Sequence, residues 1–188
     1  MRNKLLLKLS WLGTHYNGWQ RHCDEPIPSV YTVLHAALHA VTGQDGGPVP
    51  AGRLDKGVHA MEQIVTVTIR GPAPPVGTPA RARELATMVY ELNARLPPDV
   101  RVLSVNDAPP KAHAIGMSGG KTYSYFVGVD VAEAWAGYCW RQPQLDVEAM
   151  RTAAAALVGA HDFRAFTAEA KADCVRTLHS VRVERHAH

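Results

Sequence analysis

Lys4-Leu5-Leu6-Leu7-Lys8-Leu9-Ser10-Trp11 alternates: Leu5, Leu7, Leu9 and Trp11 share one face, and Lys4, Lys8 and Ser10 share the other. A period of two is that of a half-buried strand. The next patterned run has a different spacing. Val30, Val33, Leu34, Ala37, Leu38 and Val41 recur at helical intervals behind Ser29, a residue type that caps helix N-termini. Gly43 and the turn Gly46-Gly47-Pro48 end that run. Val49 to Ala51 reads as a short strand and Gln63 to Ile69 as the following one. Pro72, Pro74, Pro75 and Pro79 mark a loop. Leu85, Met88, Val89 and Leu92 then give a second amphipathic helix, stopped by Pro97-Pro98, and Val100 to Val105 reads as a strand.

The first hundred residues therefore read β-α-β-β-α-β, the ferredoxin-like order. Lys121 to Val129 reads as a further strand, with Tyr123, Tyr125, Val127 and Val129 on one face. Asp146 caps a third helix carrying Met150, Ala154, Leu157 and Val158, ended by Gly159, and Thr177 to Val183 reads as a last strand. The expected class is α+β: an antiparallel sheet built from ferredoxin-like units with helices on one side, the second unit incomplete at the C-terminus. We expect a first half over residues 1–110, carrying a loop at 51–60, and a partial second half over 111–188.

With 188 residues, 46% of them apolar and 20% charged, the chain can bury one sizeable core or two small ones. Its formal charge is +3, from 20 Lys and Arg against 17 Asp and Glu. Such a balance permits a polyanionic partner only where the cations gather on one face. Cys23, Cys139 and Cys174 are scattered, with no C-x-x-C pair, so neither a zinc knuckle nor a disulfide framework is indicated. Unpaired thiols suit a reducing compartment. No apolar run approaches the ~18 residues of a membrane span, and no targeting segment is expected.

Two glycines close the loop Ala51-Gly-Arg-Leu-Asp-Lys-Gly-Val-His-Ala60, which carries Arg53 and Asp55 two residues apart. Glycine lets a backbone turn tightly and lets a ligand approach. An Arg-x-Asp on a turn is ordinarily a surface ion pair. Held between strands, the same aspartate is placed for chemistry. His35 and His39 have the i, i+4 spacing of metal ligands, but no third ligand accompanies them in sequence, and an exposed helix face is the expectation. No metal site is expected. There is no P-loop, G-x-G-x-x-G or G-x-S-x-G.

Several segments closely resemble, in order, the motifs of the TruA family of tRNA pseudouridine synthases. Tyr16-Asn-Gly-Trp-Gln-Arg21 is similar to Y-x-G-W-Q-R, and Ser29-Val30 opens a helix like the family's S-V-Q helix. Ala51 to Ala60 resembles the catalytic loop. Asn93-Ala-Arg-Leu-Pro-Pro-Asp99 resembles N-x-x-L-P-x-D, and His113-Ala114 stands where F-H-A-R is usual. Lys121-Thr-Tyr-Ser-Tyr125 resembles R-x-Y-x-Y. Gly159-Ala-His-Asp-Phe-Arg-Ala-Phe166 resembles G-x-H-D-F-x-x-F, with Arg176-Thr177 after it. The matches run from about residue 7 to residue 183. Leu54 stands in place of threonine, Ala112 and Ile115 in place of the Phe and last Arg of F-H-A-R, and no M-V-R segment follows Val183.

The resemblance implies two ferredoxin-like halves and isomerisation of uridine to pseudouridine in the anticodon arm of tRNA, without cofactor or metal. It implies Asp55 as nucleophile, Tyr123 as the residue that stacks on the base and moves a proton, and Arg53 as the residue that assists base flipping. An ionised carboxylate suits the first role, and extraction of a nucleotide costs a few kcal/mol that an aromatic platform helps recover. Arg21, Lys56, Arg95 and Lys121 are the expected phosphate contacts, and His59 either caps the turn or touches RNA. Trp11, Trp19, Tyr125, Phe163 and Phe166 read as core. The expected partners are tRNA, a second copy of the chain, or a chain that completes the fold, in the cytoplasm, with a nucleus or organelle as the other settings. Leu54, Ile115 and the missing M-V-R arginine favour an alternative: a catalytically impaired RNA-binding protein of this fold, acting as an RNA chaperone or ribosome-assembly factor.

Overall fold

The computed structural model describes residues 2–21, 26–168 and 173–185. Cys23, His186 and His188 lie outside them. Two units are distinguished, Met1–Thr122 and Tyr123–His188. In the first, strand β1 (Arg2–Trp11) leads through helix α1 (Val30–Thr42) to β2 (Val49–Pro50) and β3 (Ala60–Arg70). Helix α2 (Pro79–Asn93), strand β4 (Val100–Asp107) and the short helix α3 (Ala114–Met117) follow. The sheet order is β2-β3-β1-β4, with every neighbouring pair antiparallel. That is the order a β-α-β-β-α-β chain produces when β1 is central.

The alternation of β1 is realised as read: Leu5, Leu7, Leu9 and Trp11 are buried, and they join Val30, Leu34 and Leu38 of α1, Val65 and Val67 of β3 and Leu92 of α2 in one core. Each such side chain removed from water contributes about 1.5–3 kcal/mol before conformational entropy is counted. Beside β1, β4 skips a residue: Lys8 faces Ser104 but Leu9 faces Val102, which leaves Leu103 as a bulge. The bulge turns Val105, Val102 and Val100 all inward and leaves Leu103 exposed.

Local chemistry sets the helix ends. Ser29 Oγ accepts from the Thr32 N–H, and Gly43 ends α1 at a φ of 67°. Thr78 Oγ1 accepts from the Arg81 N–H ahead of Pro79, a residue suited to the first turn. Arg81 is itself buried. Its Nε donates to both Asp107 carboxylate oxygens at 3.0 and 3.2 Å, and its Nη1 donates to Glu84. Chiefly through the Asp107 hydrogen bonds, and against the opposing effect of burial, the guanidinium is held even more firmly protonated than usual. This pair fastens the start of α2 to the end of β4.

The second unit contains β5 (Phe126–Gly128), β6 (Cys139–Arg141), helix α4 (Val147–Leu157), β7 (Gly159–Asp162) and β8 (Val175–Leu178). Asp146 caps α4 by accepting from the Ala149 N–H at 2.9 Å, as expected. The strands form two separate pairs, β5 with β6 parallel and β7 with β8 antiparallel. The strand expected over Lys121 to Val129 is therefore shorter than its alternation suggested. Residues 121–125 have no ladder partner, and a period of two becomes a strand only where a second strand takes its hydrogen bonds. Of the strand expected over Thr177 to Val183 only Thr177 and Leu178 are realised, as the end of β8 opposite the four-residue β7, and residues 179–183 lie outside any strand. Tyr125 and Phe166, expected in a core, are 85% and 76% exposed. Among the described residues no helix is long and apolar enough to cross a membrane.

Replacing Arg81 by Met leaves the partly buried Asp107 carboxylate without its partner, so we expect a loss of about 3 kcal/mol. Urea denaturation followed by tryptophan fluorescence measures it. The double variant Arg81→Met, Asp107→Asn should recover part of the loss.

Candidate active site

The loop that carries Asp55 joins β2 to β3. Pairing of Pro50 with Val65, and an Ala51 N–H to Ile64 carbonyl bond of 2.8 Å, pin its first end to the sheet. The Gln63 side-chain amide donates to the Gly52 carbonyl. At the apex, the Val58 N–H closes back on the Asp55 carbonyl at 3.2 Å, and Gly57 has a φ of 80°. A turn with positive φ at its third residue selects glycine there. Leu54, where the family pattern has threonine, packs against the core and anchors the residue before Asp55.

A second segment clamps the loop from the side. After β1 the chain makes one 3-10 turn, Gly13–His15, and lays residues 16–19 against residues 54–58. The Trp19 N–H donates to the Leu54 carbonyl at 2.9 Å, and the Gly57 N–H donates to the Tyr16 carbonyl at 3.3 Å. Trp11 Nε1 donates to the Val58 carbonyl at 3.0 Å. The approach is too close for side chains. A Cβ on Gly13 would stand 2.2 Å from the Val58 carbonyl oxygen, and one on Gly18, whose φ is 69°, would stand 2.5 Å from that of Leu54.

Tyr16 ties this clamp to β4. Its hydroxyl donates to Asp99 Oδ1 at 2.6 Å, and the Leu12 N–H donates to the Asp99 carbonyl at 2.9 Å. Burial first, then the hydrogen bond and charge of Asp99, push the Tyr16 hydroxyl well above the usual phenol range. The Asn93-to-Asp99 stretch thus acts as scaffold. The Asn93 side-chain amide donates to the Val102 carbonyl and accepts from its N–H, both at 2.9 Å, and Leu96 is buried. Trp11 and Trp19 are core anchors as expected, with ring centroids 5.9 Å apart.

The expected site residues are differently placed. Arg53, Asp55 and Lys56 sit on the clamped loop, exposed. Lys121 is brought to them, its stem lying over Gly52. Among the described residues the side chains of Arg53, Asp55, Lys56, Lys121 and Arg21 make no hydrogen bond or ion pair. His59 has a positioning contact: its Nδ1 accepts the Gly13 N–H at 3.0 Å, which makes the other ring nitrogen the protonated one in the neutral tautomer. Arg95 is held by Glu91, donating to its carboxylate and, at 2.8 Å, to its carbonyl. Tyr123 opens the second unit, 57% exposed and outside any strand. The sequence reading missed Tyr16, Asp99 and Gly52 as parts of the site. Their signal was present in the motifs, but only the close packing of three distant segments assigns them a task.

His35 and His39 flank one Asp45 oxygen at 4.0 and 3.9 Å. Among the described residues no group of three His, Cys, Asp or Glu stands together as a metal-holding set. Cys139 is half-buried and Cys174 buried, and the two form no disulfide with each other.

No family model matches the chain. It is 31% identical, over 98% of its length, to a tRNA pseudouridine synthase A of Thermoanaerobacter sp. (strain X514), of which it covers 72%. It is 34% identical over 98% of its length to a tRNA pseudouridine synthase A of Pseudomonas aeruginosa, covering 62% of that protein. A tRNA pseudouridine synthase A of Moorella thermoacetica is 37% identical over 87% of the chain, which covers 64% of it. The chain thus spans between 62% and 72% of the length of these curated relatives.

The clamp makes glycine indispensable at position 13. Gly13→Ala drives a Cβ into backbone, and we expect destabilisation of more than about 2 kcal/mol. Tyr16→Phe removes only the hydroxyl and should cost about 1–2 kcal/mol. Denaturant melts of the two variants, read through Trp11 and Trp19, give both values.

Proposed function

Because this chain belongs to the TruA family of tRNA pseudouridine synthases, we propose that it isomerises uridine to pseudouridine in tRNA, in the anticodon arm. The observation that carries the proposal is the Asp55 carboxylate. It is exposed, unpaired among the described residues, and mounted on a loop whose carbonyls at 52, 54, 55 and 58 are all held by hydrogen bonds. A carboxylate on a surface turn usually attracts a cation or caps a backbone group. One kept free on a rigid mount is available to a ligand.

In this reading Asp55 is the nucleophile. Its carboxylate attacks the ribose C1′ of the extracted uridine as the N-glycosidic bond breaks, the base rotates, and the carbon–carbon bond to C1′ forms as the bond to Asp55 breaks and the carboxylate is regenerated. The proton displaced from carbon passes to nitrogen, so the reaction balances as an isomerisation. Arg53 assists flipping by occupying the space the nucleotide leaves or by holding its phosphate. Tyr123 stacks on the uracil and handles a proton. Arg21, Lys56, Lys121 and Arg95 contact phosphates. Arg95 exchanges its Glu91 partner for phosphate at little cost, because an exposed pair of this kind is worth roughly 0.2–1 kcal/mol. His59 contributes by holding the loop, with RNA contact as its second task. The chain works in the cytoplasm, as a homodimer in the manner of the family; completion of the fold by a partner chain is the alternative assembly.

The second reading, an RNA-binding protein without efficient catalysis, rests on Leu54. Its packing against the core supplies an anchor where the family pattern has a hydroxyl. Incubation with an unmodified tRNA transcript, followed by chemical mapping of pseudouridine, separates the two. We expect modification at anticodon-arm uridines, reduced on the order of 10⁴-fold or more in Asp55→Ala and Asp55→Asn, with tRNA affinity largely kept. Pseudouridine formed at the wild-type rate by Asp55→Ala would falsify the assignment. Salt-sensitive tRNA binding with no modification in the wild type would favour the second reading.

A further inference from the structure

We infer that Gly52 is a seat for the stem of Lys121, and that the ammonium held there takes a backbone phosphate of the RNA beside the nucleotide presented to Asp55. The inference rests on the pseudouridine synthase reading and adds a paired positioning device to it.

Three observations carry it. The first is space. A Cβ on Gly52 would stand 2.5 Å from Lys121 Cε, 3.0 Å from its Nζ and 3.4 Å from its Cδ, so the stem fills the volume a side chain would take. Gly52 is not among the residues with positive φ. Its backbone therefore accepts alanine, and the room left for Lys121 is what glycine provides at this position. By contrast, a Cβ on Gly13 or Gly18 would meet backbone, which cannot swing aside.

The second is that both segments are anchored to the same sheet. Gly52 is fixed through its carbonyl by Gln63, and Ala51 is fixed by Ile64. On the Lys121 side, the Ala114 N–H donates to Thr66 Oγ1 on β3 at 3.3 Å, and Ala112 and Ala114 are buried. The chain that leads to Lys121 is thus tied to the sheet that carries the loop.

The third is charge. Among the described residues the Lys121 ammonium has no hydrogen-bond acceptor or carboxylate within ion-pair distance, Asp55 included. It is therefore not the counter-ion of the nucleophile. Arg53 and Lys56, exposed on the same loop, also lack partners among the described residues, whereas Lys8 pairs with Glu62, Arg81 with Asp107 and Arg95 with Glu91. A lysine stem laid along backbone with its head unpaired is preorganised for an external anion, and three unpaired cations about one loop favour a polyanion. Lysine suits a phosphate as a point charge, without the two-point geometry of arginine.

The test is a double-mutant cycle on the full chain. Dissociation constants for an unmodified tRNA transcript are measured against KCl concentration for wild type, Lys121→Met, Gly52→Ala and the double variant. Lys121→Met keeps most of the stem and removes the charge. We expect it to weaken binding about three- to tenfold at low salt and to lower the salt slope by about one phosphate contact. Gly52→Ala should do the same by displacing the stem, with an unchanged denaturation midpoint, and the double variant should be no worse than Lys121→Met. Fully additive effects of the two substitutions, or an unchanged slope in Lys121→Met, overturn the inference. If Asp55-dependent modification persists in the same preparations, the enzyme reading survives that failure. Wild-type chain that shows no salt-sensitive RNA binding overturns both.

Discussion

The contact between two stretches of backbone, residues 12–19 and residues 54–58, is the constraint on which the candidate site depends. Main chain meets main chain there because Gly13 and Gly18 carry no Cβ, and the Leu54 carbonyl before Asp55 and the Gly57 N–H after it are taken up as a result. A loop between two strands is ordinarily among the more mobile parts of a fold. This one is held on the sheet by β2 and β3 and laterally by the clamp. Tyr16 and Asp99 extend the hold to β4, at the far side of β1. A charge that acts on a reacting centre gains from such mounting, because the position of its backbone has been settled by folding before the ligand arrives.

Electrostatics divide the first unit into charges that hold the fold and charges that face outward. Arg81 is buried and shared between Asp107 and Glu84, and its worth lies in the carboxylate that would be stranded without it. Arg95 and Glu91, or Lys8 and Glu62, are exposed pairs of small value. Arg53, Lys56 and Lys121 belong to neither kind. With a formal charge of only +3 on the chain, the gathering about one loop of cations unpaired among the described residues says more about an anionic partner than the net charge does.

The second unit is built differently. Its strands are three or four residues long and form two separate pairs, and its large aromatic side chains include several that are more than half exposed, Tyr123, Trp135, Trp140 and Phe166 among them. Two-stranded pieces of this length have little stability of their own. Helix α4, with its Asp146 cap and the buried Ala154, is the element whose formation is most local.

The sequence by itself determined what depends on near neighbours along the chain. The period of two in β1, the helical spacing and Ser29 cap of α1, the Asp146 cap of α4 and the β-α-β-β-α-β order are local facts, and each is realised. The motifs also placed Asp55 on a glycine-bounded turn and pointed to the family. Tertiary structure decided whatever needs a distant partner. The period of two over 121–129 looked like that of β1 but found a partner only for Phe126–Gly128, because a strand exists through its neighbour's hydrogen bonds. Nothing local told Leu103 to bulge, Asp99 to receive Tyr16, Thr66 to hold Ala114, or Lys121 to lie over Gly52. Those contacts span tens of residues, and what selects them is the volume and the unpaired polar groups left once the sheet and its helices have closed.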